Sequence, residues 1–225
     1  RAWLRNRTSY LVDFGFLPSL DDVRETVFER SYPIQDSDEK SMVPWRACID
    51  TGGTRLEDGP SMTEQIYHFL RYNSRGVIHG IKGASWRTGT RIQHRVIDRM
   101  PGTHGRPIPG GLTLFLIDTD AFKDALHYRL SLDRDQEGAF LFNAETTEGY
   151  AAQLLSEYKR RDTRTGKESW MQIRGRENHY LDCEIYAMAA TDTQFMGGID
   201  LLRRPVGILT GQGSHQPPQN RPPPK

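Results

Sequence analysis

The sequence predicts an α/β domain in which a mixed sheet is flanked by helices. Two patterns predict it. Short runs rich in aromatic and β-branched residues alternate along the chain with amphipathic stretches of helical period, joined by short connections. One of those runs, residues 44–50 (PWRACID), ends in a carboxylate followed by Thr51, Gly52 and Gly53. Asp50 therefore stands at the carboxyl end of a strand, where open α/β sheets bind their ligands. With 225 residues, 36% hydrophobic and 10% aromatic, the chain has material for one packed core. The expected division is a globular unit over residues 1–200 and a flexible tail over 201–225, where Pro217, Pro218, Pro222, Pro223 and Pro224 crowd together.

Taken in order, residues 9–17 (SYLVDFGFL) read as a strand closed by Pro18. Ser19 caps a helix that places Leu20, Val23, Val27 and Phe28 near one face and stops before Pro33. After a polar linker and the strand ending at Asp50, Ser61 caps a helix through Tyr72, with Met62, Ile66, Phe69 and Leu70 inward. Residues 77–81 follow as a strand, and this strand-helix-strand order implies parallel pairing. Residues 83–111 are glycine-rich and basic and show no regular pattern, so a long functional loop is expected there. Residues 112–119 (LTLFLIDT) read as a strand, and Asp120 as the cap of a helix through Leu130. A short strand at 139–142, a helix at 147–158 and a strand at 168–173 come next. Asn178 is expected to cap the last helix, residues 179–191, with Leu181, Ile185 and Met188 inside. Asp182 shares a row with Tyr186 and Ala189 while Glu184 points nearly the opposite way, which makes Asp182 the expected inward acid.

Composition limits the chemistry. Thirty Lys and Arg against 29 Asp and Glu leave a net charge of +1, so any attraction for nucleic acid must be local. Mean hydropathy is −0.67. No apolar run approaches the roughly 20 residues that span a bilayer, and no signal pattern opens the chain, so a soluble, intracellular protein is expected. Two cysteines, Cys48 and Cys183, are too few for a disulfide framework and fit a reducing compartment. The histidines show no zinc-binding spacing, no G-x-x-x-x-G-K-[ST] loop is present, and no G-x-S-x-G elbow supports a serine nucleophile.

What remains is oxygen-ligand chemistry. Asp50 at a strand end and Asp182 on a late helix supply the one or two carboxylates that Mg²⁺ typically takes from a protein. Holding two ions usually needs a third carboxylate, and none stands out in the sequence. On the residues alone, Asp50 reads equally well as a turn former before Gly-Gly, and Asp182 as a complement to the helix dipole. Two basic clusters are candidates for phosphate contact: Arg87, Arg91, Arg95, Arg99 and Arg106 in the long loop, and Lys159, Arg160, Arg161, Arg164 and Lys167 around a predicted hairpin turn. Either cluster also reads as an ordinary solvated charge run.

Three collinear stretches, residues 47–53 (ACIDTGG), 77–83 (VIHGIKG) and 178–190 (NHYLDCEIYAMAA), resemble the lambda-type large terminase family of tailed phages. Further matches are residues 120–130 (DAFKDALHYRL), residues 140–157 and Trp170, so the resemblance covers about residues 9–192. It implies the nuclease domain, with an RNase H-like fold in which three acids gather Mg²⁺ or Mn²⁺ to hydrolyse phosphodiester bonds of concatemeric double-stranded DNA. By motif, Asp50 matches the second acid and Asp182 the third, both as metal ligands. Lys123 matches a lysine facing DNA or the scissile phosphate. DNA contacts are expected from Arg87, Arg91, Arg95, Arg160 and Arg161. The first acid belongs to a strand before the segment matching residues 9–17, and the chain is expected to start just after it, so the fold is expected to lack its first strand. His179 stands where the family usually has an acid. The resemblance further implies a small terminase subunit, a portal protein and an upstream ATPase domain of the same parent chain as partners, acting in the host cytoplasm. The alternative expectation is a DNA-binding or assembly module without activity of its own.

Overall fold

The computed structural model describes residues 1–35, 41–53, 61–84, 89–101 and 105–203. Its main sheet has four strands: β5 (Ala47–Asp50), β6 (Ile78–Gly83), β7 (Ile92–Arg99) and β8 (Pro107–Ile117), in the order β5-β6-β8-β7. β5 pairs parallel with β6 and β6 parallel with β8, while β7 pairs antiparallel with β8. The expected mixed sheet is present, and its three parallel strands end on the side of Asp50.

Alternation along the strands sends side chains to two layers. Ile78 and Leu114 face α1 (Leu20–Phe28) and α2 (Met62–Asn73), forming one core with Val27, Ile66, Phe69 and Leu70. Ile81, Phe115 and Ile117 face α3 (Thr119–Leu130), α4 (Glu148–Leu154) and α5 (His179–Thr191), with Phe122, Leu126, Leu181 and Ile185 wholly buried among them. α2 begins in a reciprocal capping box between Ser61 and Glu64, as the Ser-x-x-Glu pattern dictates. A second, three-stranded sheet joins β1 (Ala2–Trp3), β2 (Ser9–Tyr10) and β9 (Phe140–Leu141), and the short ribbon of β3 (Tyr32–Pro33) and β4 (Ser41–Met42) stands apart. β10 (Glu157–Arg161) and β11 (Glu168–Gln172) form an antiparallel hairpin, and a 3-10 helix at Gly198–Arg203 closes the described chain. No helix among the described residues is long and apolar enough to cross a membrane.

Several expectations are corrected. The strand over residues 9–17 is limited to Ser9–Tyr10; beyond Leu11 the chain runs out past Gly15 with Phe16 fully on the surface. The loop over residues 83–111 contains β7 and the start of β8, a long hairpin whose exposed basic side chains hide its alternation. Gly110 and Gly111, at φ +82° and +70°, let β8 bulge there, and a side chain at Gly111 would strike Val96. The cap of α3 is Asp118, whose carboxylate accepts from Ala121 N at 3.1 Å, rather than Asp120. The helix of residues 147–158 ends at Leu154, and Glu157 already belongs to a strand. The proline-rich tail lies outside the described residues.

Candidate active site

Asp50 is the last residue of β5 and is exposed. Its Oδ1 accepts from Gly52 N at 2.8 Å, so the turn-forming role is real. The same carboxylate also accepts from the Tyr186 hydroxyl, which in turn accepts from the Gly83 N–H at the end of β6. Burial and the charges of Asp50 and Asp182 hold the Tyr186 phenol well above its ordinary pKa, so it remains a donor to Asp50. Gly83 is required by closeness: a Cβ there would lie 2.7 Å from Thr119 Cγ2.

Tyr186 carries α5 across this end of the sheet, and Asp182, one turn earlier, lies on the same side. Asp182 is half-buried and its carboxyl is pushed up to about 6. Burial is the largest cause; Lys123 acts against it, Glu157 and Asp50 add to it, and His179 acts weakly against it. Asp50, Asp182 and Lys123, far apart in sequence, are thus brought within one another's field. The inward acid of α5, however, is Glu184 rather than Asp182. Glu184 is 4% exposed and forms a buried ion pair with Arg1 at 2.6 Å, with Tyr150 as a further donor. Helical projection alone assigns Asp182 inward because it has no knowledge of a buried guanidinium on β1's flank.

Lys123, on the first turn and a half of α3, is 11% exposed and pairs with Glu157 Oε2 at 2.6 Å. Glu157 Oε1 accepts from Asn178 Nδ2 at 3.2 Å. Asn178 occupies the N-cap position of α5 but makes no capping hydrogen bond, its side chain being committed to Glu157. Glu157, the buried partner of Lys123, is a residue that the sequence reading does not single out. The signal was masked by assigning residues 147–158 to one helix, which places Glu157 at an irrelevant helix end.

The predicted DNA contacts divide. Arg160 and Arg161 project in solvent from β10, three and four residues beyond Glu157. Arg95 is exposed on β7. Arg91 is tied down, pairing with Asp192 at 3.1 Å and lying over the Phe122 ring, which makes it partly a structural residue. Arg87 lies outside the described residues. Hollows lie at the β10–β11 turn, lined by Arg161, Gly166, Lys167 and Glu168, and between α2 and β8, lined in part by Leu70, Arg71, Pro109 and Leu112. Asp50 and Asp182 belong to neither.

Asp182 carries a carboxyl that burial holds reluctant to ionise, within the fields of Lys123, Glu157 and Asp50. Hard oxygen donors of this kind suit Mg²⁺ or Mn²⁺. Among the described residues no group of three or more His, Cys, Asp or Glu is placed to hold a metal ion.

A sequence model of the terminase large subunit gpA endonuclease domain matches residues 1–200. The chain belongs to that family. No curated protein and no solved structure matches the chain. The match spans every element that builds the site, from the β1–β2 ribbon that anchors α5 through Arg1 to α5 itself. Asp50 stands at the carboxyl end of a strand in the parallel part of the sheet, where mixed α/β folds bind their ligands.

Proposed function

We propose that this gpA endonuclease domain cuts concatemeric double-stranded DNA by metal-dependent phosphodiester hydrolysis during phage DNA packaging. The observation that carries the reading is the match of residues 1–200 to the endonuclease-domain family, with Asp50 at the carboxyl end of a parallel strand and Asp182 near enough to feel the charges of Asp50 and Lys123. A bound Mg²⁺ or Mn²⁺ would supply the Lewis acidity that such hydrolysis needs. Asp50 and Asp182 would hold it. Tyr186 fixes the Asp50 carboxylate, and the Lys123 ammonium stands ready to oppose charge developing on a phosphate. Arg95, Arg160 and Arg161 are exposed and positioned for sequence-independent backbone contact, which places and orients the duplex. In the packaging assembly the domain would act in the host cytoplasm beside the ATPase domain of its parent chain, with the small subunit and portal protein as partners.

One observation favours a second reading, a DNA-binding or assembly module without activity of its own: among the described residues no group of three or more His, Cys, Asp or Glu is placed to hold a metal ion. The test is nicking of supercoiled plasmid in Mg²⁺ and in Mn²⁺, by this chain and by a version extended upstream through the strand expected to carry a first acid. Cutting by the extended protein that vanishes in Asp50→Asn and Asp182→Asn supports the nuclease. Undiminished cutting by either variant removes the assignment. A folded extended protein that binds DNA and never cuts establishes the second reading.

A further inference from the structure

Glu157 has a burial and a set of partners that the reading above does not use. Its side chain is 6% exposed, and a carboxylate taken that far from water costs several kcal/mol unless its oxygens are fully matched. Both are matched: Oε2 by the Lys123 ammonium at 2.6 Å and Oε1 by the Asn178 amide at 3.2 Å. Its partners come from two different elements at the site, α3 through Lys123 and the entry of α5 through Asn178, four residues before Asp182.

We propose that Glu157 is a positioning residue that holds the Lys123 ammonium beside Asp182, ready for the scissile phosphate. The inference rests on the nuclease reading and deepens it. A lysine carries about 2 kcal/mol of rotamer entropy and delivers its charge as a mobile point. A cation contributes to hydrolysis only when it is fixed where charge develops, because placement made in advance costs nothing at the moment of reaction. Glu157 supplies that placement through one of the ammonium's three N–H donors.

Two simpler roles fit less well. As a third metal ligand Glu157 would have to share its carboxylate with a cation placed beside the Lys123 ammonium, and among the described residues no group of three or more His, Cys, Asp or Glu is placed to hold a metal ion. As a mere fastener of the β10–β11 hairpin it is redundant. Asp124 already accepts from Lys159 Nζ at 2.9 Å and from Trp170 Nε1 at 3.0 Å, and Trp170 lies tilted against His127 with ring centroids 4.5 Å apart.

The test uses two readouts on Glu157→Gln, which keeps the shape and loses the charge, with Glu157→Asp as the conservative partner. The first is acylation of Lys123 by a soluble amine-reactive reagent, followed by mass spectrometry on this chain. Release of the ammonium is expected to raise its labelling about ten-fold in Glu157→Gln while Lys40, Lys167 and Lys225 label as before. The second is single-turnover plasmid cleavage by the extended protein. Glu157→Gln is expected to slow cutting about 10- to 100-fold with DNA affinity in Ca²⁺ within about two-fold, and to add nothing to Lys123→Ala in the double variant. Partial recovery in Glu157→Asp is expected. Unchanged Lys123 labelling, full-rate cutting by Glu157→Gln, or additive losses in the double variant would each overturn the proposal. An extended protein that does not cut at all sinks the nuclease reading instead, and the labelling then decides by itself whether Glu157 fixes the lysine.

Discussion

Asp182 shows how a single side chain reports on its site. Burial, with Glu157 and Asp50 nearby, pushes its carboxyl up to about 6 against the opposing pull of Lys123 and His179. The folded state therefore binds this proton more tightly than the unfolded chain does, where the group titrates near 3.8. Its contribution to stability is fully present below the unfolded value and is lost as pH rises through about 6. In metal-free buffer, Asp182→Asn should match the wild type in Tm near pH 4 and exceed it at pH 7, by only a few degrees because solvent still reaches the group. Mg²⁺ should narrow that gap by stabilising the wild type alone. A gap that is constant with pH would mean the carboxyl is not strained by its surroundings. The positions of Asp50 at a strand end and Asp182 on a helix were legible as local patterns, but on the residues alone each reads equally well as structural, and only the family resemblance singles them out as ligands. Glu157, Tyr186 and Asn178 were not, because each acquires its role from a partner far along the chain: Lys123, Asp50 and Glu157 in turn.

Elements were legible where one face is apolar and the caps are strong, as in α2 with its Ser61–Glu64 box. They were illegible where charge covers the pattern. β7 (IQHRVIDR) buries only Ile92 fully, so its pairing with β8 is decided by backbone hydrogen bonds and by the apolar β8 beneath it, not by its own alternation. The sheet's interior makes a sharper demand at Gly80, midway along β6 between β5 and β8. A Cβ there would lie 2.5 Å from Leu114 Cδ2, 2.8 Å from Leu70 Cδ1 and 3.0 Å from Thr51 Cγ2, all in buried side chains. With three neighbours crowding at once, Gly80→Ala is expected to cost about 1–3 kcal/mol in urea unfolding. Because Thr51 follows Asp50 directly, the shift that relieves the clash should also slow cutting. A variant as stable as wild type would show that α2 can move off the sheet freely.

At the scale of the molecule, a net charge of +1 leaves no general attraction for DNA, so affinity must come from where the cations are placed. The β10–β11 hairpin carries Lys159, Arg160, Arg161, Arg164 and Lys167 within its strands and turn. It is bolted to α3 through Asp124, directly beside Lys123. A duplex held by the hairpin would be presented to the end of the sheet where Asp50 and Asp182 lie, so binding and positioning are one act. Each phosphate neutralised by an arginine releases condensed counterions and steepens the fall of affinity with salt by about 0.9 in the log-log slope. Arg160→Ala and Arg161→Ala are therefore each expected to reduce that slope by up to about one and to weaken binding evenly across DNA sequences. Arg91→Ala should behave differently. Its guanidinium is already committed to Asp192 and Phe122, so the loss should appear in thermal stability more than in the salt slope. Measured as fluorescence anisotropy of a labelled duplex between low and physiological salt, an unchanged slope in both hairpin variants would move the DNA path off β10. The exposed face of β7 with Arg95 would then be the surface to map.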